Sequence, residues 1–227
     1  MTAASAALGK LAAIGPYFTV GTGPVPGTGW RAARRLHTDD ALLHAVVAGV
    51  GARIGTPHRR VAASTFQLGF AARLWSIGLG ALAGHGLLID LRPLLFRESA
   101  GQLQLHLEAP TAHHAAALHA PLESAVLDTH LVPLGVALHR VVPISDRLLS
   151  GNTVSALLGA ARVFDTVTGG PTGSAWRVAR DICRDERLAG AVRFESDTVY
   201  RRLSCCLFYR TPGGGMCGDC VLAAPTA

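Results

Sequence analysis

Lysine is all but missing from this chain of 227 residues, where Lys10 is the only one. The net charge of +6 therefore rests on arginine. Lysine-poor, arginine- and alanine-rich usage often follows a GC-rich genome, so the basic balance says little about partners. Aromatic residues are also few, at 6%. The basic stretches Arg31/Arg34/Arg35, Arg59/Arg60 and Arg201/Arg202 are not interleaved with the aromatic platform that binds single strands. No nucleic-acid partner is expected.

Long hydrophobic runs are missing too. The longest uncharged apolar window, Leu74–Ile89, is interrupted by Gly78, Gly80, Gly84, His85 and Gly86, and it falls short of the roughly 20 residues that span a bilayer. At the start, Thr2–Ile14 lacks a basic leader, carries Lys10 inside its apolar part and shows no cleavage site. It reads as a short amphipathic helix. These absences predict a cytoplasmic protein without a transmembrane segment, peripheral contact at the inner face of the membrane being left open. A nucleotide-binding fingerprint is also lacking. GTGPVPGTG (Gly21–Gly29) is glycine-rich, but it is out of the G-x-G-x-x-G register and follows no convincing strand. Direct use of NAD(P)H is not expected.

Of five cysteines, Cys183 alone lies in the body. An odd number crowded at one end excludes the secreted disulfide scaffold, which spreads an even number through a short chain.

What is present is a large apolar fraction, 49%, ample for a core. Pro16–Gly29 reads as a loop. Thr38-Asp39-Asp40 can cap a helix over Ala41–Ile54, and Val61–Leu82 reads as a longer one with Phe66, Phe70, Leu74 and Trp75 on its apolar side. Gly101–Glu108 (GQLQLHLE) alternates as a half-buried strand does, with Leu87–Phe96 as its expected hairpin partner. From Pro121 the pattern is helical again, punctuated by Pro133 and Pro143. Ser145-Asp146 opens a segment through about Phe164, and after a loop over DTVTGGPTGS, Ser174 is expected to cap a helix bearing Trp176, Ala179, Ile182 and Cys183. The predicted fold class is α+β: a mostly helical body over residues 1–195, a small antiparallel sheet, and a cysteine-bearing segment over 196–227.

That segment, RRLSCCLFYRTPGGGMCGDCVL, gathers Cys205, Cys206, Cys217 and Cys220. Four soft thiolates suit Zn(II) or an iron–sulfur cluster. A zinc knuckle uses spaced pairs, which adjacent cysteines fit poorly, and a vicinal disulfide is strained. Spacing thus favours iron and sulfide. Neighbours in a strand face opposite ways, so Cys205 and Cys206 reach one centre only if the backbone leaves the extended conformation there. Gly213–Gly215 allow a reversal, and Gly218 a tight ligand loop with amides aimed at sulfur. Arg193, Arg201, Arg202 and Arg210 bracket the ligands. Positive charge beside an anionic cluster favours its reduced state and raises its potential. Arg201–Arg202 reads equally as a solvated basic stretch or a docking patch.

The pattern CC-x10-CxxC, preceded by Arg201-Arg202 and followed by Val221-Leu222, resembles the FhuF-like ferric siderophore reductases across Tyr200–Leu222. The body is similar more loosely, in RVAASTFQLGFAARLWS (Arg60–Ser76) and SGNTVSALLGAARVF (Ser150–Phe164). The resemblance implies a cytoplasmic oxidoreductase that delivers one electron from a 2Fe–2S cluster, held by Cys205, Cys206, Cys217 and Cys220, to an imported hydroxamate or catecholate ferric siderophore. It implies an electron donor such as a ferredoxin. The alternative is a non-catalytic iron–sulfur electron carrier or a redox or iron sensor, and a zinc-stabilised interaction module is a third class.

Other residues read more plainly. His113, His114 and His119 lack a carboxylate in register and suit an exposed helix or loop face. Cys183 reads as a buried structural thiol and Trp75 and Trp176 as core anchors. Asn152 reads as a cap or turn residue. Ser64, Ser155 and Asp146 form no nucleophile–base pattern.

Overall fold

The computed structural model describes residues 2–99, 102–114, 120–169 and 173–223. Two long helices, α4 (Arg59–His85) and α7 (Asp146–Thr168), pack along each other and carry the core. On α4, Val61, Ala63, Phe70, Leu74, Trp75 and Ile77 are buried at helical spacing. Its glycines bring neighbours close: a Cβ on Gly80 would stand 2.9 Å from Leu11 of α1 (Ala3–Leu11) and 3.2 Å from Phe18. With 27 residues, α4 is long and apolar enough to cross a bilayer, but 72% of its most apolar stretch is buried inside the protein. It is a core helix.

Local rules set the helix ends. Asp39 accepts from the Leu42 amide (2.9 Å) at the start of α3 (Asp40–Arg53), Ser145 caps α7, and Gly86 closes α4 in the left-handed conformation at φ 64°. At α8 (Ser174–Ile182) the cap differs from expectation. Ser174 is the first helical residue and makes no cap. The carboxylate of Asp165, buried within α7, instead accepts from the amides of Ala175 (3.2 Å) and Trp176 (2.7 Å). So α7 continues to Thr168, into the first residues of the predicted loop, and its last turn holds the positive end of α8. Asp165→Ala should lower stability to chemical denaturation by about 1–2 kcal/mol, with Asp165→Asn recovering part of the loss.

The sheet also departs from the simplest reading. β4 (Leu95–Ser99) and β5 (Gln102–Leu107) pair antiparallel as expected, but the strand over Leu87–Phe96 is divided. β3 (Leu87–Ile89) pairs instead with β6 (Ala112–His114). Between β3 and β4, Asp90 turns the chain by accepting from the Arg92 amide (3.0 Å), and Pro93 has no amide to continue a ladder. β4 is flanked by β2 (Arg31–Ala32) and β5, in parallel, by the short β1 (Gly21–Thr22) from the predicted loop, giving the order β1-β5-β4-β2. His113 and His114 are exposed on β6, a strand rather than a helix or loop, while His119 lies outside the described residues.

Pro133 does not break the helical run. α5 (Ala120–Glu123) passes through a π-helical stretch, Ser124–Leu131, into α6 (Val132–Val141). Pro133 cannot donate to the turn before it, and the wider register ends just there. His130 of this stretch is buried against Phe70 and hydrogen-bonds the Leu91 carbonyl through Nε2 (3.0 Å). Burial pushes its pKa down to about 4. Between pH 6.5 and 4 the unfolded chain therefore binds a proton that the folded chain refuses, and stability is lost as the pH is lowered through this range. His130→Gln should remove about 3 kcal/mol of that acid-side loss, read from denaturation midpoints across this range.

Trp75 and Trp176 are buried in the core. Cys183 is half-buried against it, and burial pushes its thiol up to about 12. Residue 195 falls in the turn of a hairpin, β7 (Val192–Phe194) paired with β8 (Tyr200–Arg202). The body grips its turn: Trp176 Nε1 donates to the Asp197 carbonyl (2.7 Å) and Arg162 to that of Thr198 (3.1 Å).

Candidate metal centre

β8 delivers the chain to the cysteines, and its alternation separates the two arginines. Arg201, on the face opposite Arg202, is mostly covered: it pairs with Glu195 (3.1 Å) and donates to the carbonyls of Cys220 (2.9 Å) and Ala223 (2.6 Å), tying down the last turn. Arg202 points inward and is 1% exposed. Its guanidinium donates to Cys217 Sγ and to Asn152 Oδ1 (3.2 Å), and pairs with Asp219 (3.3 Å). Burial works against its charge, but Asp219, Cys206 and Cys217 outweigh it and hold its pKa above the ordinary value. The solvated-stretch reading thus fails for Arg202. Arg193 is exposed beside Glu195 (3.5 Å) and Arg210 lies over Tyr209 (5.6 Å); neither hydrogen-bonds a sulfur.

After β8 the backbone leaves the extended conformation, as two adjacent ligands require. Leu207 takes φ 68°, the one left-handed non-glycine among the described residues. Such strain persists where the surroundings enforce it. Its amide points back at Cys205 Sγ (3.3 Å), and the Leu222 amide at Cys220 Sγ (3.4 Å). The Phe208 amide is directed at Cys206 in the same way, so these donors lie outside C-G-D-C; Gly218 is not left-handed, although Cys220 closes that loop onto the Cys217 carbonyl (3.0 Å). At the reversal, Gly213 takes φ 71° and Gly214 leaves no room for a Cβ, which would lie 2.3 Å from the Phe208 carbonyl.

The helices hold this segment through buried polar groups that sequence reasoning passed over. Ser64 of α4 donates to the Cys206 carbonyl (2.6 Å), and Asn152 of α7 donates to the Ser64 carbonyl (3.1 Å) while accepting from Arg202 (3.2 Å). Asn152 is therefore neither cap nor turn but a buried link inside α7. Its neighbour Gly151 admits the cysteine segment, since a Cβ there would clash with Ser204 Oγ. Gly151→Ala should destabilise the protein by about 1–3 kcal/mol through overpacking. Ser204→Gly should restore most of this in a double-mutant cycle.

Cys206 and Cys217 stand 3.7 Å apart, close to the roughly 3.8 Å that separates two sulfurs on one tetrahedral metal with bonds of about 2.3 Å. Donation from Cys217, reinforced by Arg202, lowers the pKa of Cys206, and the same hydrogen bond raises that of Cys217. Among the described residues no three His, Cys, Asp or Glu side chains gather tightly around one point. Around the sulfurs, Arg202 Nε, Ser204 Oγ and Asp219 Oδ2 are buried without a partner. The two donors among them, Arg202 Nε and Ser204 Oγ, fit an anionic group bound by sulfur, while the Asp219 carboxylate balances the Arg202 charge.

Residues 202–222 match the FhuF 2Fe-2S C-terminal domain. The cofactor of this segment is a 2Fe–2S cluster. The match starts in β8 at Arg202 and covers Cys205, Cys206, Cys217 and Cys220. No curated protein matches the chain significantly.

Proposed function

We propose that Cys205, Cys206, Cys217 and Cys220 ligate the cluster and that the protein is a cytoplasmic ferric siderophore reductase. Its substrate is a hydroxamate or catecholate Fe(III) complex, and a donor such as a ferredoxin restores the electron. The match over residues 202–222 carries this reading. Bound there, the 2Fe–2S cluster supplies one electron, which converts Fe(III) to Fe(II). Hard oxygen ligands hold Fe(III) far more tightly than Fe(II), so the metal is then released.

The chain's own groups prepare this transfer without covalent chemistry. Arg202 neutralises negative charge on the sulfurs, the Leu207 and Leu222 amides donate to them, and Ser64 and Asn152 fix the segment to α4 and α7. Residues 1–195 supply the frame and 196–227 the cluster-bearing segment.

The test uses anaerobic, dithionite-reduced protein freed of excess reductant and mixed with a ferric siderophore and an Fe(II) trap. One trapped Fe(II) per cluster is expected, with bleaching reversed. A reduced protein that leaves the ferric complex intact is an electron carrier or sensor instead.

A further inference from the structure

We infer that the cleft between α4, the end of α3 and the start of β5 is a subsite for ferric complexes of net negative charge, which deepens, and rests on, the reductase reading. This cleft of about 250 Å³ is lined by Arg53, Arg73, Thr65, Tyr17, Phe66 and Gln102, among others, and by no carboxylate. Two arginines thus line one cleft with no carboxylate among its described lining residues. Arg73 lies over the Tyr17 ring (5.5 Å) and donates to the Pro16 carbonyl (3.1 Å), and neither it nor Arg53 has an acidic partner among the described residues. Burial holds Arg73 below its ordinary value. The Thr65 hydroxyl is buried without a hydrogen-bond partner.

Its location supports substrate rather than a stray anion. Thr65 follows Ser64, the residue that holds the Cys206 carbonyl at 2.6 Å, so cleft and cysteine segment flank one turn of α4. On the other wall, Arg53 precedes by two residues Gly55, on which Pro212 of the cysteine segment packs (3.5 Å to a Cβ built there). Guanidiniums donate to anionic oxygens, and the half-exposed Tyr17 offers ring surface to a flat ring. A tris-catecholate complex, trianionic and aromatic, meets both demands; a neutral trihydroxamate complex meets neither.

Binding is separated from electron transfer with redox-inert gallium(III) complexes, titrated calorimetrically into the cluster-loaded protein. The trianionic gallium tris-catecholate should bind at least about tenfold more tightly than a neutral gallium trihydroxamate. Arg53→Gln and Arg73→Gln should each remove about a factor of ten for the trianionic complex only, Arg73→Lys should retain part of it, and the 2Fe–2S spectrum should stay unchanged in all three. Equal affinity for both complexes, or wild-type affinity in both glutamine variants, overturns the anion subsite. Reduction of a ferric trihydroxamate by a protein with no such preference removes the subsite and leaves the reductase. Arginine-dependent binding without reduction of any ferric complex does the reverse.

Discussion

Cys217→Ser should abolish the 2Fe–2S absorbance and the electron paramagnetic resonance signal of the reduced protein, and with them Fe(II) release. Cys217 is the sulfur that both Cys206, at 3.7 Å, and the buried Arg202 address, so its replacement removes one arm of the closest sulfur pair and the acceptor of the guanidinium. Serine is a poor ligand for iron in this setting, and the buried charge opposite would face a neutral hydroxyl. Cys183→Ser is the control. That thiol sits at the end of α8, packed on apolar residues and held protonated by burial, with its pKa near 12. The variant should keep cluster and turnover. A Cys217→Ser protein with an intact spectrum, or a Cys183→Ser protein without one, would mean that other groups hold the irons.

Much of this site was legible because its signals are local. Two adjacent cysteines followed by C-x-x-C specify soft ligation, and three glycines announce the reversal found at Gly213 and Gly214. Helices declared themselves through periodic apolar residues and through caps such as Asp39 and Ser145. What stayed hidden depends on contacts distant in sequence. Asp165 caps a helix that starts nine residues later, a pairing no capping pattern covers. Asn152 and Ser64 are polar residues inside apolar helices, and each seemed idle until Arg202 and the Cys206 carbonyl were brought to them. A signal did exist: Arg60–Ser76 and Ser150–Phe164, the body segments resembling the reductase family, contain Ser64 and Asn152. The split of Leu87–Phe96 was readable as well, from Asp90 and Pro93, against the pull of a continuous apolar run.

Arg202→Gln should have the largest effect of any change outside the cysteines, on both stability and potential. Arg202 is the one guanidinium buried among the sulfurs, and removing it strands the Asp219 carboxylate in a site with little water. Breaking one half of a buried ion pair costs about 3–5 kcal/mol. The reduced cluster is more anionic than the oxidised one, so a nearby cation favours reduction. A charge-assisted hydrogen bond is worth about 1.5–3 kcal/mol, and the part of it gained only on reduction sets the shift, so its loss lowers a one-electron potential by at most about 60–130 mV. Stability and redox effects separate in the double variant Arg202→Gln/Asp219→Asn. Removing the opposed charges together should recover most of the folding loss, because no uncompensated carboxylate remains. It should recover only part of the potential, because the donor to Cys217 is still gone. Redox titration of the loaded variants, alongside denaturation of the same samples, distinguishes the two effects. A potential unmoved in both variants would leave Arg202 a strut for the segment, with charge tuning falling to the Leu207 and Leu222 amides that already point at sulfur.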